Sequence, residues 1–102
     1  MDNQTKAIDT PFGRRDAYGA LSMPVYHTAA YEFDTAADMA DAFTGRVLAP
    51  YYSRVMNPTA TLLEDKVRNI TNAHAVVAMS SGMTAISETM LAFSAQGKNI
   101  VT

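Results

Sequence analysis

The order of apolar runs and turns predicts an α/β protein, one whose layers are only begun within these 102 residues. Ala75-Val76-Val77-Ala78-Met79 is a short unbroken apolar run, the pattern of a parallel strand buried on both faces. Ser80-Ser81-Gly82 separates it from a helical pattern with Met83, Ile86, Met90 and Phe93 at i, i+3, i+7 and i+10, which ends near Gly97. Asn99-Ile100-Val101-Thr102 then reads as the next strand beginning. Strand, helix, strand in that order is a right-handed crossover unit. A sheet built from such units needs more strands, and helices on both faces, than this stretch supplies, so the chain reads as truncated.

Upstream of this unit the first thirty or so residues are punctuated by Pro11, Gly13, Gly19 and Pro24, and they predict an extended arm. Arg14-Arg15-Asp16 is a solvated charge cluster. Val25, Tyr26, Tyr31 and Phe33 flank a Thr/Ala stretch in the arm, and exposed aromatics of this kind need another surface to cover them, which hints at a subunit contact. Thr35, with Asp38 three residues on, starts a helix whose apolar face carries Met39 and Phe43, and Gly45 ends it. A loop runs from Arg46 to Asn57. Asn57-Pro58 opens a second helix with cap and first-turn proline in their favoured places. Leu63, Val67 and Ile70 line its buried stripe, and Glu64 and Arg68 are expected to pair across one turn of its outer face. The resulting division is residues 1–57 as an arm with one helix, and 58–102 as helix, strand, helix and strand opening a larger domain.

Composition narrows the functional classes. Eight Lys+Arg against ten Asp+Glu leave a net charge of -2 with no basic run, which argues against nucleic acid as a partner. There is no cysteine, so disulfides and thiolate metal sites are excluded within this stretch. The first six residues lack the apolar core of a signal peptide, and no apolar run approaches the roughly 18 residues that cross a bilayer. A cytoplasmic protein without a membrane partner is the expectation. His27 and His74 have no companions at metal-ligand spacing. The methionines at 39, 79, 83 and 90 occupy strand or helix positions where sulfur side chains fill gaps in a core.

Two local constellations could carry chemistry. At Ser80-Ser81-Gly82-Met83 a helix N-terminus offers unpaired N–H groups and the positive end of the macrodipole, and the glycine lets an anion approach the backbone. The same triplet is what a plain strand-to-helix turn requires, so alone it assigns no ligand. Tyr51-Tyr52-Ser53-Arg54 combines the planar donor fork of an arginine with tyrosine hydroxyls, a pair suited to phosphate oxygens. An exposed arginine beside core-packed tyrosines would look the same.

Read together, these stretches resemble a known family. Tyr52-Ser53-Arg54-Val55-Met56-Asn57-Pro58-Thr59, followed by Ser80-Ser81-Gly82-Met83-Thr84-Ala85-Ile86, is similar to the Y-[ST]-R-x-x-N-P-T and S-S-G-M-x-A-I motifs of the Cys/Met metabolism, or trans-sulfuration, family. Gly19-Ala20-Leu21-Ser22-Met23-Pro24-Val25-Tyr26 resembles its G-A-x-x-x-P-[IV]-Y lead-in, and the likeness runs from about Gly13 to Thr102. The resemblance implies the fold-type I, aspartate aminotransferase-like architecture, with pyridoxal 5′-phosphate as cofactor and a small amino acid as substrate. It implies that Ser81, Gly82 and Met83 bind the cofactor phosphate, and that Tyr52 and Arg54 bind the phosphate of a neighbouring subunit in a dimer or tetramer with shared sites. The family's cofactor-linking lysine has no counterpart here, since Lys6, Lys66 and Lys98 lie outside any matching context, so this stretch alone is expected to be inert. Arg54-Val55-Met56-Asn57-Pro58-Thr59 looks more like the R-[IV]-M-N-P-T of O-acetylhomoserine sulfhydrylases, which replace an activated γ-substituent by sulfide to give homocysteine, than like R-x-G-N-P-T of cystathionine enzymes. Methionine γ-lyase and the cystathionine synthases and lyases stay open as alternatives. From other classes come a non-catalytic assembly module and, lacking any G-x-G-x-x-G or G-K-[ST] signature, a nucleotide-binding domain.

Overall fold

Four helices carry all the regular structure in the computed structural model, which describes residues 2–11, 16–94 and 97–101. Gly13, Arg14, Arg15 and Thr102, named above, lie outside the described residues.

Helix α1, Asn3–Ile8, falls where the sequence predicted only an irregular arm. Asp2 caps it, accepting the Asn3 N–H at 2.8 Å, and Lys6 lies in its last turn where the macrodipole favours a cation. At six residues it is too short to show an apolar period, which is why the pattern missed it. Its stability comes from docking on α3, Pro58–Thr71. Lys6 Nζ donates to Asn72 Oδ1 at 3.2 Å. Thr10, only 8% exposed, donates to the Lys6 carbonyl at 2.7 Å and accepts from Asn69 Nδ2 at 3.3 Å.

Helix α2, Ala36–Phe43, starts as predicted: Thr35 Oγ1 accepts the Asp38 N–H at 3.1 Å and donates to the Asp38 carboxylate at 2.6 Å. It stops at Thr44, and Gly45 takes the left-handed conformation at φ 72 that a helix exit requires. The Asp41 carbonyl then receives both the Arg46 and Val47 N–H groups, which turns the chain into the following loop. Phe43 meets Tyr51 edge-to-face with ring centroids 4.6 Å apart.

In α3, Asn57 accepts the Thr59 N–H at 2.9 Å and Pro58 fills the first turn. Asn72 closes it at φ 54, an asparagine in the left-handed role usually given to glycine. The expected Glu64–Arg68 pair is not formed. Arg68 reaches Asp65 at 2.8 Å instead, while Glu64 accepts the backbone N–H of Ala78 at 2.8 Å. Helix α4, Gly82–Phe93, follows the Ser80-Ser81 turn and ends at Ser94.

Two expectations are corrected. Residues 75–79 and 99–101 form no strand; the described residues contain a single isolated antiparallel bridge, Ala30 to Tyr52, and no sheet. A parallel ladder needs a neighbouring strand to receive its N–H and C=O groups, and no described segment lies alongside 75–79 in that role. The apolar stripes are also not buried. Leu63, Val67, Met39, Met79, Ile86 and Met90 are exposed, with Met83 at 68% and Phe93 at 89%, and Ala42 is the only buried apolar side chain among the described residues. The radius of gyration, 17.0 Å, exceeds the about 13 Å of a closed domain of this length. Likewise the accessible surface of 8582 Å² exceeds the about 5,600 Å² expected for this mass. Helices α2, α3 and α4 are set by local signals, and their apolar faces have no covering layer among the described residues. No described helix is long and apolar enough to cross a membrane.

Candidate functional site: an arginine–tyrosine turn and an open helix N-terminus

The turn bearing Tyr52 and Arg54 is built from its own backbone. The Val55 and Met56 N–H groups both donate to the Tyr52 carbonyl, at 2.9 and 3.0 Å, and this folds Arg54 back toward Tyr52. The guanidinium carbon of Arg54 lies 5.1 Å from the Tyr52 ring centroid, over the π face. Arg54 has no acidic partner among the described residues, and Tyr52 is partly exposed. The turn therefore offers a planar fork of donors, held against an aromatic face, with a phenol hydroxyl beside it. That is a set suited to an oxyanion with several oxygens.

The other constellation sits at the start of α4. Ser81 Oγ accepts the Thr84 N–H at 3.1 Å and is hydrogen-bonded to Thr84 Oγ1 at 2.8 Å, so the cap consumes the third N–H of the helix. The N–H groups of Gly82 and Met83 have no acceptor among the described residues. A Cβ built on Gly82 would meet nothing within 4 Å, so the flank of the helix start at Gly82 is open. Two free N–H groups at the positive end of a 12-residue helix make a cradle for an anion. Ser81 thus acts in this structure as the cap that orders the cradle.

Both donor sets fit a phosphate. They sit on separate elements, and two open grooves among the described residues, one lined by Lys6, Asp9, Arg68 and His74 and the other by Met23, Pro24, Tyr31, Leu48 and Met56, contain none of the five residues. Among the described residues no group of three or more His, Asp or Glu is placed to hold a metal ion.

Sequence reasoning missed what holds the turn. Tyr31 and Phe33, expected to stand exposed in a free arm, are half-buried, and the arm from Pro24 to Tyr31 is docked on residues 53–59. The Ser53 N–H donates to the Ala29 carbonyl at 2.9 Å and Ser53 Oγ donates to the Thr28 carbonyl. Asn57, legible only as a helix cap, also donates through Nδ2 to the Tyr26 carbonyl at 3.0 Å. That arm partner is a backbone carbonyl some thirty residues upstream, and no side-chain pattern announces it.

Comparison with known proteins agrees with the motifs. The model of the family described as Cys/Met metabolism PLP-dependent enzyme matches residues 4–102. The L-methionine gamma-lyase of Fusobacterium nucleatum subsp. nucleatum is 39% identical over 88 residues, covering 86% of this chain and 22% of that protein. The O-acetyl-L-homoserine sulfhydrylase of Corynebacterium glutamicum is 35% identical over 83 residues, covering 81% of this chain and 19% of that protein. The chloroplastic cystathionine gamma-synthase 1 of Arabidopsis thaliana is 37% identical over 90 residues, covering 88% and 16%. The chain thus spans about a fifth of the length of the curated relatives it matches. With a match over nearly its whole length, the chain belongs to the Cys/Met metabolism family of pyridoxal-phosphate-dependent enzymes.

Proposed function

We propose that this chain supplies the arm and the opening phosphate-binding segment of an enzyme acting at the γ-carbon of a sulfur amino acid or an activated homoserine. The observation that carries the reading is the N-terminus of α4, where the N–H groups of Gly82 and Met83 have no acceptor among the described residues and the flank at Gly82 is open. Bound pyridoxal phosphate supplies an electron sink that stabilises negative charge at the substrate's α and β carbons. The work of this chain's residues is to hold the phosphate. Gly82 and Met83 donate from the backbone, Ser81 fixes the first turn, and Tyr52 and Arg54 donate to the phosphate of a neighbouring copy in a homodimer or tetramer. The separation of the two donor sets on different elements supports such sharing, and the uncovered apolar faces support burial against further polypeptide. Residues 1–57 then serve as the subunit-contacting arm and 58–102 as the start of the fold-type I large domain.

Met56 in Arg54-Val55-Met56-Asn57-Pro58-Thr59 favours the O-acetylhomoserine sulfhydrylase, replacing acetate by sulfide to give homocysteine. A second reading, methionine γ-lyase, is favoured by the identities of 39% and 40% to lyases from Fusobacterium nucleatum and Pseudomonas putida. Protein expressed from its full reading frame, loaded with pyridoxal phosphate, separates them. Homocysteine formed from O-acetylhomoserine and sulfide supports the sulfhydrylase. Methanethiol released from methionine supports the lyase. Cystathionine made from an activated homoserine and cysteine, or cleaved, supports the third alternative, a cystathionine γ-synthase or lyase, and turnover of none of these substrates with retained cofactor would overturn the γ-carbon assignment.

A further inference from the structure

Ser53, Asn57 and Thr59 each donate a side-chain hydrogen bond to a backbone carbonyl of the arm. Ser53 Oγ has one proton, which goes to the Thr28 carbonyl, so at the 3.2 Å contact with Tyr31 the phenol is the donor, and Asn57 Nδ2 donates to the same oxygen at 3.1 Å. Asn57 divides its amide: Oδ1 caps α3 on the Thr59 N–H, while Nδ2 bridges Ser53 and the Tyr26 carbonyl. Thr59 Oγ1 donates to the Pro24 carbonyl and accepts the Tyr26 N–H, both at 3.0 Å. The turn 52–56 has no sheet or helix around it beyond the isolated bridge from Tyr52 to Ala30, and Ser53, its most heavily bonded residue, sits between the two residues of the anion clamp.

We infer that Ser53, Asn57 and Thr59 are positioning residues that lock the arm segment Pro24–Tyr31 to this turn, and thereby hold Tyr52 and Arg54 in the geometry that grips phosphate. This inference rests on the assignment of Tyr52 and Arg54 to the cofactor phosphate. Arm docking and phosphate binding then share one free-energy coupling, and each strengthens the other.

The substitutions that test it separate capping from tethering. Asn57→Asp keeps a cap of equal quality but replaces the Nδ2 donor by an oxygen facing the Tyr26 carbonyl and Ser53. Thr59→Val removes the hydroxyl at nearly constant shape, and Thr59→Ser restores it. In protein from the full reading frame, the dissociation constant for pyridoxal phosphate and the hydrogen exchange of the Tyr26 amide are measured together. Asn57→Asp and Thr59→Val should each weaken the cofactor by roughly three- to tenfold and speed Tyr26 exchange at unchanged helix content. Thr59→Ser should behave as wild type, and saturating cofactor should slow Tyr26 exchange. A purely structural role, with lowered thermal stability and an unchanged cofactor constant, would overturn the inference. Arg54→Ala decides where a failure lies. If it weakens the cofactor while Asn57→Asp and Thr59→Val do not, the positioning role falls and the phosphate assignment stands. If Arg54→Ala changes nothing, the phosphate assignment falls and the inference with it.

Discussion

Arg54 lies over the ring of Tyr52 with its guanidinium carbon 5.1 Å from the ring centroid, so the two residues that the family motif pairs in sequence are also paired in space within a single turn. The contact fixes the plane of the arginine fork before any anion arrives, which lowers the entropy lost on binding. Arg54→Lys keeps the charge and loses the fork, and should weaken cofactor retention by about tenfold. Arg54→Ala should weaken it by roughly ten- to a hundredfold. Tyr52→Phe keeps the aromatic face and removes one donor, so its loss should be the smallest of the three. Equilibrium titration with pyridoxal phosphate measures the order, and equal affinities across the series would exclude the turn from the site.

Gly82 separates a folding role from a binding role. Its added Cβ would meet nothing within 4 Å, and its φ lies outside the left-handed region, so Gly82→Ala should leave α4 intact by circular dichroism and thermal unfolding. The same methyl occupies the open flank of the helix start at Gly82. Cofactor affinity should fall by about tenfold or more, since a phosphate oxygen would be pushed off its charge-assisted donors. Unchanged affinity would show that phosphate does not approach there.

Thr35 provides the control. Its hydroxyl caps α2 on the Asp38 N–H and touches neither donor set. Thr35→Ala should cost about 1 kcal/mol of stability and leave the cofactor constant unchanged. A fall in affinity comparable with that of Arg54→Ala would mean that global loosening explains the binding losses at the other positions.

Glu64 holds the segment that the sequence reads as a strand. Its carboxylate accepts the Ala78 N–H at 2.8 Å from the second turn of α3. Glu64→Ala removes that acceptor and should speed hydrogen exchange at Ala78, whereas Glu64→Gln retains an acceptor oxygen and should preserve much of the protection. Protection at Ala78 that survives Glu64→Ala would show that another group receives this N–H in solution, as a neighbouring strand would.

Features governed by neighbouring residues were legible in the sequence. Thr35 with Asp38, Asn57 with Pro58, and Ser81 before Gly82 each announce a helix start, and all three helices begin there. Features that depend on distant chain were not. Helix α1 exists by virtue of its contact with α3 some sixty residues on, and Ser53 and Asn57 find their partners in arm carbonyls. The strand at 75–79 failed for the complementary reason: its apolar run describes an environment between two layers, and the described residues supply neither layer. The candidate site follows the same division. Its residue types were readable from motifs, while the arm that steadies one half of it was not.

The central claim is that Tyr52 and Arg54 of one copy and Gly82 and Met83 of another grip a single phosphate, and subunit complementation tests it most directly. Arg54→Ala and Gly82→Val proteins, each expressed from the full reading frame, are co-expressed, and high-affinity pyridoxal phosphate sites are counted by titration. Shared sites predict that each variant alone has none, and that random hybrids recover about a quarter of the wild-type number, because each mixed dimer rebuilds one intact site from two damaged chains. Recovery of no sites in hybrids shown by mass to have formed would contradict the claim.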